Sequence, residues 1–293
     1  MKGGIVADIA LSILFHGLAS AMVLYIIAVG LSVTMGLMGF VNLAHGVFAM
    51  AGGYVAIWLM QSAGIGFLPA VLIACIGVAL VSVPVERTLY ARLYGASELD
   101  QVLMTIGLIF VASATARFLF GPSPQNLAIP SLLQGQVDLG IRSFPAYRLV
   151  IIALGFLLFV ALWLMVERTP FGARLRAAVD NRKIAQSIGI RTDHLFTFTF
   201  ALGSGLAALG GALGAEFLPI RPAYAAEQLN NVLIVVAVGG LGTLQGPFLA
   251  AILLGVSDTA CRYLAPELGV FFIYLVIIVL LLWRPNGLYG RAG

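Results

Sequence analysis

Apolar residues run along this chain in long blocks, neither alternating one by one nor confined to a single helical face. The blocks fall at about 9–33, 41–60, 67–85, 99–120, 147–166, 195–218, 229–257 and 269–283. Most are near or above the ~20 residues that a helix needs to cross a bilayer, whereas strands of a membrane barrel are about half as long and alternate in polarity. The pattern predicts an all-α integral membrane protein: a polytopic helical bundle of about eight hydrophobic segments in one transmembrane domain over 1–293. Two blocks are interrupted by glycines and polar residues, which predicts broken or re-entrant helices near 36–46 and 239–247.

Composition agrees with this class. Hydrophobic residues make up 61% of the chain and charged residues 10%, against roughly half and a quarter in soluble domains. Lys2 and Asp8 precede the first block and no small-residue cleavage pattern follows, so that block is expected to stay. Cys75 and Cys261 lie in or beside apolar segments with no metal or disulfide spacing and read as packing residues. The two lysines, Lys2 and Lys183, are followed by Gly3 and Ile184. A phosphate-binding loop of the Walker type needs Ser or Thr there, so the chain does not bind ATP in that way.

Charge orients the blocks. Arg168, Arg174, Arg176, Arg182, Lys183 and Arg191 cluster between the fifth and sixth, and the positive-inside rule places this loop, 167–193, in the cytoplasm. Arg87 and Arg92, two crossings earlier, fall on the same side, and the loop from Gly121 to Ala146 is external. A cytoplasmic C-terminus at Arg284 and Arg291 then requires an odd number of crossings after the sixth block, yet two blocks remain. The conflict resolves if 229–257 is split, as a re-entrant hairpin or as two short passes. GGLGTLQGP, residues 239–247, supplies the split: Gly239, Gly240, Gly242 and Gly246 lose helical order cheaply, and Pro247 suits the first turn of a new helix.

The other interruption is GLMGFVNLAHGVFAMAGGY, residues 36–54. Setting Gly39 beside Gly239, Gly46 beside Gly246, Phe48 beside Phe248 and Ala51 beside Ala251 suggests an internal repeat. A parallel repeat would send the first span out of the cytoplasm and leave the N-terminus on the side of the basic loop. Polar and helix-breaking residues at membrane depth are costly unless they line a cavity. Asn42, His45, Gly46, Gly239, Gly240, Gly242 and Thr243 are therefore the candidate translocation pathway. Asn42 is expected to cap a half-helix beginning near Leu43, whose exposed N–H groups suit a passing carboxylate. The alternative is that Asn42 and His45 tie one helix to its neighbour by buried hydrogen bonds.

Glu216 and Asp258 lie near segment ends, where a proton relay competes with simple interfacial pairing to Arg221 or Arg262; His16 poses the same choice. Trp58, Trp163 and Trp283 sit where interfacial anchors do. An intramembrane enzyme using His16, His45, Glu216 or Asp258 would need several converging ligands or acids, and no H-E-x-x-H or paired Asp motif occurs. A passive channel is the other rival, distinguished by flux through the isolated chain.

Within the basic loop, Gly172 to Val179 is short and amphipathic. Asp180 and Asn181 can cap a second helix, Ile184, Ala185 and Ile188 share a face, and Gly189 can end it. Ala185, being small, is expected to let a partner approach closely.

Three phrases carry a resemblance: Asn42, Ala44, His45, Gly46, Met50, Gly52 or Gly53 and Tyr54 in the first break; Gly172, Arg174, Arg176, Ala177, Asp180, Asn181, Ala185, Gly189 and Ile190 in the basic loop; and RPNGLYG, Arg284 to Gly290. With GGLGTLQGP they resemble the LivH-type permease subunits of bacterial ABC importers for branched-chain amino acids. Urea permeases share the NLAHG-like form and remain an alternative, whereas sister permeases for simple sugars usually read near D-L-S-V-G. The resemblance implies a multi-pass protein of the bacterial inner membrane that does no chemistry itself. The nine basic-loop residues would form the loop that couples it to an ATPase subunit. It also implies partners: a second permease of the LivM type, two cytoplasmic ATPases that use ATP with magnesium, and an external substrate-binding protein. No cofactor, metal or nucleic acid is expected on this chain.

Overall fold

The computed structural model describes all residues except 1, 41, 139–142, 241, 286 and 291–293, and no side chain is described for 2–7, 36–38, 269 and 270. Among the described residues eleven α-helices follow one another: α1 Lys2–Met38, α2 His45–Gln61, α3 Phe67–Val85, α4 Glu98–Phe120, α5 Ala146–Arg168, α6 Pro170–Asp180, α7 Arg182–Ser187, α8 Thr192–Gly214, α9 Tyr224–Gly239, α10 Gln245–Leu264 and α11 Gly269–Trp283. A π turn at Glu86–Tyr90 and a 3-10 turn at Ala91–Leu93 continue α3. The only sheet among the described residues is a small antiparallel hairpin, β1 Gln136–Asp138 with β2 Ser143–Pro145, in the loop expected outside. Six described helical stretches are long and apolar enough to span a membrane, and Phe271–Trp283 of α11 is a shorter apolar helix.

Close backbone contacts fix the directions. A Cβ built on Gly30 would lie 2.4 Å from the Gly203 carbonyl oxygen, and one on Gly17 would lie 2.7 Å from Val256 Cα. With Gly210 against Ile27 and Gly214 against Val23, these pairs make α1 antiparallel to both α8 and α10. At its start α1 meets the hairpin face, through Phe15 against Phe144 and His16 against Arg148. Near its end Val33 shares a cavity with Leu175 and Arg176 of α6. In contrast α2 runs with α8, from Phe48 beside Phe200 to Gly53 beside Ile220 and Tyr54 stacked on Phe120.

The block 229–257 is split into two passes, α9 toward the basic face and α10 back from it, and α11 returns once more. Its tail pairs with the end of α9 through Leu288 N–H to Val238 O at 2.7 Å and Tyr289 N–H to Gly239 O at 3.1 Å. RPNGLYG therefore closes on GGLGTLQGP, with Gly287 at φ +78° and its Cα facing the Ala237 carbonyl. The described part of the tail, up to Gly290, thus lies beside the end of α9 and the cavity walled by α6. The helices that lead into the two breaks, α1 and α9, both run toward the basic face, α1 from Phe15 and His16 beside the hairpin to Val33 beside α6.

Helix association inside a bilayer gains little from burying apolar surface and rests on close packing of small residues. The seam among α1, α2 and α8 is built in that way: Cβ atoms on Gly52 and Gly211 would lie 2.3 Å from Ala208 O and 2.0 Å from Ala49 O. Gly52→Val should lower the thermal midpoint in detergent, the overpacking costing about 1–3 kcal/mol or more. Gly77→Ala, in α3 with open space around its Cα, should leave the midpoint unchanged or raise it slightly.

Candidate functional site

Both breaks are terminated alike. Gly39 N–H donates to Met35 O at 3.1 Å and Gly240 N–H to Val236 O at 2.9 Å, each glycine lying at positive φ, +61° and +97°. Only glycine adopts this conformation without strain. Residues 39–44 then lead to α2 and 240–244 to α10. The second linker is one residue shorter, so the structural counterpart of Gly39 is Gly240, one step from the pairing expected between Gly39 and Gly239. The helices that follow still start at equivalent places, His45 and Gln245.

In the first break the polar groups face inward. Asn42 is 1% exposed and accepts at Oδ1 from Tyr90 Oη at 3.1 Å. It does not cap α2: Ala44 holds that position without a side-chain bond. His45, also 1% exposed, donates through Nε2 to the Ile27 carbonyl at 2.9 Å, which fixes its tautomer because a carbonyl only accepts. Gly46 lets α2 rest on the backbone of Ala225 in α9, where a Cβ would come within 2.6 Å of Ala225 O.

The second break is more open. Gly239 and Gly246 touch backbone to backbone, but Gly242 and Thr243 line a cavity of about 380 Å³ on the basic face. Its other walls include Val33, Trp163, Glu167, Leu175, Arg176 and Tyr289, so it joins the end of α1, the end of α5, α6 and the C-terminal tail. Thr243 Oγ1 donates to Gly240 O at 3.0 Å, and Ser32 Oγ reaches the Thr243 carbonyl at 2.9 Å.

The basic segment folds as α6 and α7. Gly172 must be glycine, since a Cβ would fall 1.8 Å from Val166 O as the chain turns back against α5. Arg176 holds the same corner by donating to Val166 O at 2.8 Å, with Glu167 at 3.7 Å. Asn181 Oδ1 accepts from Ile184 N at 3.0 Å and caps α7 as expected, and Gly189 ends it at φ +89°. Ala185 is corrected: at 1% exposure it packs inward with Ala178 and Phe196. The outward apolar side chains are Ile184 and Ile188, 60% and 70% exposed. Arg174, Ala177 and Asp180 lie at or near the surface of α6, and Ile190 packs beside the Ala185 cluster.

One group was missed. Glu86, at the π turn, is 2% exposed and accepts from Thr197 Oγ1 at 2.8 Å and from the Tyr94 hydroxyl. Burial, and next the Glu86 carboxyl, push the Tyr94 hydroxyl well above its usual range, so it stays a donor. These bonds tie the end of α3 to the start of α8. Tyr94 also packs on Phe196, whose ring lies under Arg182 of α7, itself paired with Asp193 at 2.8 Å. A sequence shows Glu86 as the polar end of an apolar block, and its partners are far along the chain, so periodicity gives no sign of it.

Of the two acidic residues near segment ends, Asp258 pairs locally, whereas Glu216 has its Oε2 buried without a hydrogen-bond partner. Asp258 holds Arg262 at 2.8 Å, but Arg221 pairs with Glu227 at 2.8 Å and not with Glu216. His16 meets Arg148. No group of three or more potential metal ligands occurs among the described residues.

The family described as branched-chain amino acid transport system, permease component, matches residues 13–281. The chain belongs to this family. It is 27% identical to the high-affinity branched-chain amino acid permease BraD of Pseudomonas aeruginosa over 95% of both chains. It is also 27% identical to LivH of Escherichia coli K12, covering 95% of this chain and 94% of LivH. LivM of the same strain is 27% identical over 91% of this chain and 68% of its own length. Among solved structures, PsaBC from Streptococcus pneumoniae in complex with Fab has TM-score 0.51 at 15% identity, covering 94% and 92%, a likeness of fold. In this chain the polar motifs are partly tethers, at Asn42 and His45, and partly cavity wall, at Gly242 and Thr243.

Thr197→Val should remove one of the two bonds to the buried Glu86 carboxyl and destabilise the protein by about 1–3 kcal/mol, whereas Thr197→Ser should be close to neutral. Thermal unfolding in detergent, followed by loss of monodisperse protein, checks both.

Proposed function

We propose that this permease is the membrane subunit of an ATP-driven importer for branched-chain or related amino acids in the bacterial inner membrane. The observation that carries the reading is the basic pair α6–α7, which lies beside the cavity at the second break and turns Ile184 and Ile188 outward. Apolar side chains on a short capped helix, set among cations, suit a groove on a partner protein. The positive-inside rule favours the cytoplasm for this face, and an ATPase subunit is the partner that the family reading supplies. Two such ATPases, working with ATP and magnesium, would act on this chain and on a second permease of the LivM type. A binding protein would deliver substrate to the opposite face, where the hairpin lies.

In this reading the chain performs no covalent chemistry. Gly242 and Thr243 line the mouth of the pathway, Gly239, Gly240 and Gly46 allow the close approaches around the breaks, and Asn42 and His45 hold the first break in register. Arg176 and Gly172 fix α6 to α5, so that force on α6–α7 reaches the cavity wall. Transport requires that partner contacts differ in free energy between two arrangements of these elements.

The test is reconstitution with the ATPases, second permease and binding protein. Vesicles should accumulate radiolabelled leucine, isoleucine or valine only with ATP, and this chain alone should neither hydrolyse ATP nor pass the amino acid. Uptake of urea in preference to amino acids would overturn the substrate, and passive flux through the chain alone would overturn the mechanism. Ile184→Asp with Ile188→Asp should weaken co-purification of the ATPase by at least about tenfold, since each buried side chain of this size contributes about 1.5–3 kcal/mol. Receptor affinity for the amino acid should not change.

A further inference from the structure

The outward faces of α3, α4, α5 and α11 are apolar: Leu72, Phe110, Leu157 and Leu275 are all more than half exposed. The open face of α9 is different. Glu227, Asn230, Asn231 and Ala237 are exposed and Ile234 is partly exposed, at spacings that put them on one side of the helix. The opposite side is buried through Gln228, Val232, Val235 and Val236. The helix joins the link beside Ile220 to the break at Gly239 and is about 24 Å long at 1.5 Å per residue, so Asn230 and Asn231 lie near its middle. Side-chain amides facing hydrocarbon are costly, and such groups at membrane depth face protein or a water-filled cavity.

At the end of α9 away from the basic face, Arg221 and Glu227 form an ion pair at 2.8 Å with both side chains 40–50% exposed. An amino-acid zwitterion offers the same two charges in the opposite order. Its carboxylate can take a place at the guanidinium and its ammonium a place at the carboxylate, while Asn230 and Asn231 supply neutral donors and acceptors further along the same face. Ala237 presents only a methyl group at the inner end of the face, so an apolar side chain meets little obstruction there.

We propose that this face of α9 is a wetted wall of the translocation pathway, with Arg221 and Glu227 reading the substrate zwitterion at the entrance and Asn230 and Asn231 passing it inward. The assignment rests on the importer reading above and goes beyond it by naming the wall and its polar contacts. The opposite wall would come from the second permease, which closes the path without covering α9 dry.

The experiment uses the assembled transporter in proteoliposomes, in a background of Cys75→Ser and Cys261→Ala with uptake verified. A membrane-impermeant methanethiosulfonate reagent should modify Asn230→Cys and Asn231→Cys but not Leu157→Cys, and reagent bound at either α9 position should block uptake. Asn231→Leu should lower the maximal leucine uptake rate by about tenfold, the weight of one hydrogen bond, with ATPase co-purification and receptor affinity unchanged. Unreactive cysteines at both α9 positions would overturn the proposal, because the face is then dry against lipid or a partner. Reactive cysteines with unaltered uptake would overturn it as well, leaving a water-exposed surface off the path. No amino-acid uptake by the unsubstituted transporter would overturn the importer reading and with it the zwitterion assignment, while the labelling pattern still decides whether the face is wetted.

Discussion

The close approach of α8 to α1 and α2 is the constraint on which the other features depend. In lipid, two helices gain nothing from hiding apolar side chains from water, so they hold together by the density of contact that small residues permit. Gly203, Gly210, Gly211 and Gly214 give α8 such a surface along most of its length, and Gly30 and Gly52 answer from the other helices. A second seam, Gly17 against Gly255, brings α10 onto α1. Since α8 starts directly after the basic segment, its position sets where that segment meets the bundle. Since α1 and α2 flank the first break, the same seam also sets where that break lies.

Polar ties then fix the register that small residues leave free, because smooth surfaces slide. Cys75 donates to Gly205 O at 3.2 Å, Tyr147 to Leu213 O at 2.7 Å and His45 to Ile27 O, each joining distant helices through a backbone carbonyl. Glu86 and Asn42 do the same through side chains. In a medium without water an unmade bond costs more than in solution, so each tie selects one register more by penalising the others than by its own strength. The residues most conspicuous in the sequence, Asn42 and His45, belong to this class.

Much of the architecture was legible because block hydrophobicity and charge asymmetry are properties of single segments. The split of 229–257 followed from counting crossings against the basic loops, and the structure supplies it as α9 and α10. The caps at Asn181 and Gly189 were legible for the same reason, since a cap involves neighbours within a few residues. What was not legible depended on facing. Asn42 was expected to cap α2, but the partner that claims it, Tyr90, lies at the far end of another block. Ala185 was expected to face a partner protein, yet the inner position is where a small side chain is needed, against Ala178 and Phe196. Ile184 and Ile188 carry the larger apolar groups outward.

The two breaks share a fold but differ in what holds them, and the difference indicates where the bundle can yield. The first is enclosed by a buried amide, a buried imidazole and the backbone of α9, so displacing it exposes several polar groups to hydrocarbon at once. The second is held by a threonine hydroxyl, by Ser32 and by two main-chain bonds to the C-terminal tail, next to a cavity already open to α6. Each such bond contributes about 1 kcal/mol net, less than separating a glycine seam. A displacement of α6, which walls the same cavity as Gly242 and Thr243, therefore meets its weaker resistance at the second break. The repeat thus provides one anchored break and one compliant break, and the compliant one lies against the basic segment, where a partner's contacts can shift the balance between two arrangements.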